Sequence, residues 1–82
     1  MIISEFNRIK WHCRRGTLEL DLLFNSFVDK HIWQLSEQQL QCFKELLEQD
    51  NLQLELWLIK DQQRIPEKYQ EICKLILKNA VV

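Results

Sequence analysis

Apolar residues recur at intervals of three and four along almost the whole chain, and no stretch sustains an alternation of two. That spacing lines apolar side chains along one face of an α-helix, so helix is the expected state nearly throughout. The first stripe is Ile2, Phe6, Ile9 and Cys13, on a helix predicted to be capped by Ser4 and to run to about Arg15. A second helix is predicted over about Leu18 to His31, with Leu20, Leu23, Phe24, Phe27 and Val28 inward and Leu18 and Leu22 off the stripe. Ser36 and Gln39 have the spacing of a capping box, and Leu35 and Leu40 that of a hydrophobic staple, which together start a third helix at Glu37. Its inner face is Leu40, Phe43, Leu46 and Leu47.

Asp50 and Gln53 repeat the box-like spacing, so the run breaks after Glu48 or Gln49 and a short fourth helix follows through Leu52, Leu56, Trp57 and Ile59. Lys60 to Arg64 are polar and read as a loop. Pro66 suits the first position of a fifth helix whose stripe is Tyr69, Ile72, Cys73 and Ile76, and Asn79 to Val82 are expected to fray. The pattern therefore predicts an all-α fold, a compact bundle of five short helices, with residues 1–82 as a single domain.

Composition narrows the function classes. With 46% apolar and 28% charged residues the chain is globular, and a formal net charge of −1 argues against general nucleic-acid binding. Cys13, Cys42 and Cys73 are widely spaced with no C-x-x-C, which fits free thiols in a reducing compartment. No run reaches the roughly 18 apolar residues of a membrane span and no export leader opens the chain, so a soluble cytoplasmic protein without direct membrane insertion is expected.

Local chemistry concentrates in the stretch from Trp11 to Asp21, which holds the only glycine of the chain. Gly16 suits the left-handed position that ends a helix, and Thr17 can cap the next one. Arg15 at the end of the first helix and Glu19 at the start of the second complement the two helix dipoles, each by ~0.3–1 kcal/mol. Trp11 falls on the polar side of the first helix, three or four residues from Asn7, Arg8, Arg14 and Arg15. An exposed tryptophan among arginines has the composition of a protein-interface hot spot.

Arg8, Lys10, Arg14 and Arg15 against Glu5 give the first sixteen residues a formal charge of +3, leaving −4 for the remainder of a chain whose net is −1. A small basic-helix nucleic-acid binder is accordingly one alternative, although a single basic helix on an acidic body is more often a solvated face or a protein contact. His12, His31 and the cysteines do not have metal-ligand spacing, and on a helix the adjacent side chains of His12 and Cys13 diverge. One glycine also forbids the G-x-S-x-G, P-loop and dinucleotide fingerprints, so catalysis by the chain itself is not expected.

The string Arg8-Ile9-Lys10-Trp11-His12-Cys13-Arg14-Arg15-Gly16, running into Leu18-Glu19-Leu20-Asp21, resembles the succinate dehydrogenase assembly factor family, the small flavinators. Arg15, Gly16 and Glu19 match its R-G-x-x-E signature. Leu46-Leu47-Glu48-Gln49-Asp50, with Leu54 and Trp57-Leu58, is similar to a second family block, so the resemblance spans about residues 8–60. Asn51-Leu52-Gln53 departs from the family in lacking a proline often seen there, and the fifth helix has no distinctive match.

The resemblance implies a five-helix bundle and a chaperone-like assembly factor. Such a factor binds the flavoprotein subunit of succinate dehydrogenase, and of the related fumarate reductase, and promotes the bond between a histidine of that subunit and FAD. It implies that FAD is the partner's cofactor, with none held firmly here, and that the bond-forming chemistry belongs to the flavoprotein. Partner-binding residues carried over by the match are Trp11, His12, Arg14, Arg15, Gly16, Glu19, Asp21 and Arg8. A monomer without nucleic acid is expected. Bacterial members of the family also leave an antitoxin-like protein, paired with a membrane toxin, as an alternative.

Overall fold

Five helices lie in the order α1 (Ile3–His12), α2 (Leu18–His31), α3 (Glu37–Leu47), α4 (Asn51–Glu55) and α5 (Gln70–Lys78), with no strand among the described residues. The computed structural model describes residues 1–79, so of the predicted fraying end only Asn79 is described, and residues 80–82 lie outside. Asn79 caps α5, its side-chain amide donating to the Leu75 carbonyl at 2.9 Å.

One apolar cluster joins all five helices. Ile9 and Cys13 enter it from α1 and its end, Leu20, Phe24, Phe27 and Val28 from α2, and Phe43, Leu46 and Leu47 from α3. Leu54 of α4 and Ile72, Cys73 and Ile76 of α5 join them, and Ile32, Trp57, Leu58, Ile65 and Tyr69 from the connecting segments complete it. The rings of Phe24 and Phe27 meet Phe43 at centroid distances of 6.1 and 5.4 Å, so the α2–α3 contact is aromatic. The inward faces of α2, α3 and α5 follow the predicted stripes, with Leu23 and Leu40 at their half-buried margins.

Local capping decides some boundaries. The Ser36 hydroxyl accepts from the Gln39 amide at 3.1 Å and the Gln39 side chain from the Ser36 amide at 3.0 Å, which closes the predicted capping box on α3. Asp50 caps α4 in the same sense, accepting from the Gln53 amide at 2.9 Å.

Elsewhere tertiary contacts move the predicted ends. The N-cap of α1 is Ile2, not Ser4, and Ile2 is 70% exposed, so the first stripe begins at half-buried Phe6. α1 stops at His12, three residues short of Arg15, and Gly16 lies beyond its C-cap, Cys13. Thr17 has the extended backbone of an N-cap but makes no side-chain cap; its hydroxyl is buried without a partner.

After Glu55 the helix widens into a π-turn over Leu56–Lys60, closed by the Asp61 amide donating to the Leu56 carbonyl at 2.7 Å. Leu54, Trp57 and Leu58 face the core, three and four residues apart as on any helix face, while Leu52 is 79% and Ile59 38% exposed, so of the predicted stripe Leu52, Leu56, Trp57 and Ile59 only Trp57 is fully inward. The predicted loop at Lys60 to Arg64 contains a 3-10 turn over Gln62–Arg64, capped by Asp61. Pro66 stands just ahead of a 3-10 turn at Glu67–Tyr69 that leads into α5, rather than inside the helix.

Candidate partner-binding site

The segment from Cys13 to Thr17 turns the chain from α1 to α2, and Gly16 is its pivot. Its φ of 84° is the only positive φ among the described residues, in the left-handed region that penalises any residue with a Cβ. No atom lies within 4 Å of where a Cβ would stand, so conformation rather than crowding within the chain calls for glycine.

The residue before it is tied on both sides. The Arg15 amide donates to Oδ1 of Asp21 at 2.6 Å, a contact from the first turn of α2 back to the segment ahead of it. The Arg15 carbonyl accepts from Nδ2 of Asn51, at the start of α4, at 2.7 Å. Its side chain points inward. Nη1 donates to the Leu47 carbonyl at 2.8 Å and the His12 carbonyl at 3.1 Å, Nη2 to the Gln49 carbonyl at 2.6 Å, and Nε to Oδ1 of Asn51 at 2.9 Å.

A helix leaves its last carbonyls without intrahelical partners and carries negative charge there. One planar guanidinium thus satisfies the ends of α1 and α3 and grips the start of α4, a geometry that a point charge on a flexible stem cannot reproduce. Arg15 and Glu19 form no ion pair among the described residues; each works on helix ends separately.

Outside this clamp the signature region is open. Trp11 is 67% exposed, and the Arg14 guanidinium lies over its ring at 5.2 Å from the centroid. Trp11, Arg14, Gly16 and Asp21 border one groove between α1 and α2, together with Lys10 and Asn25. Arg8 and His12 line a second depression, against Lys44, Leu47 and Glu48. Glu19 lines a third, with Leu18, Ile59 and Lys60. The predicted site residues are therefore gathered around one corner but distributed over three faces of it, with Arg15 directed into the interior and Asp21 half-buried beneath the turn.

The positive charge of the first sixteen residues is partly consumed. Lys10 pairs with Asp29 at 2.7 Å and Arg15 is engaged internally, while Lys44 of α3 takes Glu5 at 3.0 Å. Among the described residues Arg8, Arg14 and Arg15 are the side-chain cations of this stretch without an ionic partner, and of the three only Arg15 is held by hydrogen bonds. All three cysteines are free thiols. Burial pushes the Cys13 and Cys73 thiols up to about 12, and burial with Glu45 nearby raises that of Cys42. Among the described residues no three His, Cys, Asp or Glu side chains are grouped as metal ligands, and no helix is long and apolar enough to cross a membrane.

Residues 7–80 match the family described as flavinator of succinate dehydrogenase. The chain belongs to that family. It is 36% identical to the FAD assembly factor SdhE of Idiomarina loihiensis over 80 residues, covering 98% of this chain and 89% of that one. It is 44% identical over 64 residues to the factor of the same name from Legionella pneumophila strain Paris, covering 78% of each. The Colwellia psychrerythraea factor is 37% identical over 75 residues, 92% of this chain and 82% of its own. No solved structure matches the chain. The flavinator match takes in the whole corner, from Arg8 to Asp21, and also Asn51, whose grip on Arg15 had no signal in the sequence because the two stand 36 residues apart.

Proposed function

We propose that the chain is an assembly factor that binds the flavoprotein subunit of succinate dehydrogenase and promotes covalent attachment of FAD to it. The observation that carries this reading is the corner inside the flavinator match: an exposed tryptophan–arginine pair beside a glycine whose outer face is open. Such a surface suits a protein partner, because an aromatic anchor with an arginine supplies hot-spot contacts and a missing Cβ admits close approach of backbone.

The bond between flavin and protein forms on the flavoprotein, from its own histidine and its own FAD. The factor supplies a preformed surface that favours the competent state of the partner. Trp11, His12, Arg14, Gly16, Glu19 and Arg8 provide the outward contacts, while Arg15 and Asp21 keep the corner in shape. Fumarate reductase, whose flavoprotein is related, is a second client, and the factor acts in the cytoplasm as a monomer of one domain. A shared core drawn from all five helices supports the single domain. The nucleic-acid alternative is disfavoured, because the basic helix and its turn leave only Arg8 and Arg14 without an ion pair or hydrogen bond, too few to neutralise the phosphates that useful affinity at physiological salt needs.

The test is capture from cells with the tagged chain, followed by covalent flavin on the captured flavoprotein, read as fluorescence that survives denaturation. Retention of the flavoprotein and faster attachment with the factor present are expected. Equal attachment rates with and without it would remove the reading.

A further inference from the structure

Arg15 belongs to the family signature, yet its guanidinium turns inward, with four of its five N–H groups held by backbone carbonyls and one side chain. That side chain is Asn51, which accepts from Nε at 2.9 Å and returns a hydrogen bond from Nδ2 to the Arg15 carbonyl at 2.7 Å. A carboxylate could only accept and an ammonium only donate; a carboxamide does both. Asn51 is itself placed on a firm base as the first residue of α4, immediately after the Asp50 cap.

The carbonyl it holds is that of the peptide joining Arg15 to Gly16. With the Arg15 amide fixed by Asp21, side chains from two separate helices pin the residue that enters the left-handed turn. The outer side of Gly16 has no packing of its own to hold it, so its geometry is set from beneath.

We propose that Asn51 is a positioning residue for flavoprotein binding: one carboxamide locks both the Arg15 guanidinium and the Arg15–Gly16 peptide, so that Gly16, Trp11 and Arg14 meet the partner already arranged. The proposal rests on reading this corner as the flavoprotein-binding site. A surface held in its bound form gives up less entropy on association, so the effect falls on affinity more than on the rate of the bound complex.

The test compares the full wild-type chain with Asn51→Leu, close in size but without polar atoms, and Asn51→Asp, which keeps an acceptor for Nε and loses the donor. FAD attachment to the flavoprotein subunit is measured against factor concentration, at a temperature where circular dichroism shows each variant folded. Asn51→Leu is expected to raise the half-saturating concentration about tenfold or more with the maximal rate within about twofold, and Asn51→Asp to raise it about threefold. A residue that only supported the fold would shift the melting temperature and leave half-saturation of the folded chain unmoved.

Wild-type half-saturation in folded Asn51→Leu overturns the proposal. Should that variant not fold at the assay temperature, wild-type half-saturation in Asn51→Asp overturns it instead. A wild-type chain that fails to speed attachment removes the functional reading and this proposal with it, whereas an active wild type with unaffected variants removes the positioning role alone.

Discussion

Arg14 holds its guanidinium 5.2 Å from the centre of the Trp11 ring while both side chains stand exposed on α1 and the turn that follows. An exposed pair of this kind adds only ~0.5–1 kcal/mol to the fold, but in a desolvated interface each member becomes an anchor. Trp11→Ala is therefore expected to change unfolding free energy by less than ~1 kcal/mol and to weaken flavoprotein binding by ~2 kcal/mol or more, roughly 30-fold. Calorimetric titration beside a urea melt separates the two. Unchanged affinity in the folded variant would take Trp11 out of the interface.

The outward aspect of Trp11, though not that of Arg14 beyond the helix end, was readable from spacing alone, because α1 keeps the helical period through Trp11 and His12. So were the limits of α2 and the start of α3, the latter through Ser36 and Gln39 within one turn of each other, although Thr17 makes no side-chain cap on α2. The end of α1 was not, since the turn from Cys13 to Thr17 is fixed by partners 6 and 36 residues from Arg15, at Asp21 and Asn51. The same contacts direct Arg15 inward, which no local pattern could express. In α4 the expected stripe of Leu52, Leu56, Trp57 and Ile59 took the wrong side, because Leu54, Trp57 and Leu58, the residues actually buried, are also three and four apart and spacing alone does not choose between two such sets in so leucine-rich a segment.

Arg15 spans the carbonyls of His12, Leu47 and Gln49 and the amide oxygen of Asn51 with three nitrogens of one plane. Lysine offers one nitrogen and cannot reach all four. Arg15→Lys should therefore lose ~2–4 kcal/mol of stability, nearly as much as Arg15→Ala, since either leaves partly buried carbonyls without donors. Urea denaturation of the three chains gives the comparison. A lysine variant within ~0.5 kcal/mol of wild type would mean that charge, not the planar fork, matters here.

Gly16 combines a φ of 84° with open space around the missing Cβ. Strain alone then sets the stability loss, so Gly16→Ala and Gly16→Leu should each lose ~1–2 kcal/mol, with little dependence on size. Partner approach would show the opposite pattern. Covalent FAD on the flavoprotein should fall more for leucine than for alanine, because the longer side chain projects into the space the partner enters. If both variants stay folded and flavinylation matches wild type, Gly16 is a turn residue and not a contact.

Cys13 and Cys73 are wholly buried, and desolvation disfavours their thiolates, moving them from the ordinary 9.0 to about 12. Lys10 and Arg15 oppose the shift at Cys13 without cancelling it, and Cys42 adds to it at Cys73. Two consequences follow from the sign. Near pH 8 an alkylating reagent should consume Cys42 first, its thiol being only half-buried, while the other two wait for unfolding. Because the folded chain binds these protons more tightly than the unfolded one, the stabilisation is complete below about pH 9 and is lost as pH rises toward about 12. Each thiol can contribute up to ~1.4 kcal/mol per pH unit within that window. The slope is compared with that of Cys13→Ala/Cys73→Ala, which should start less stable and fall less steeply. Parallel slopes between pH 9 and 11 would show that the buried thiols are not the source of alkaline instability.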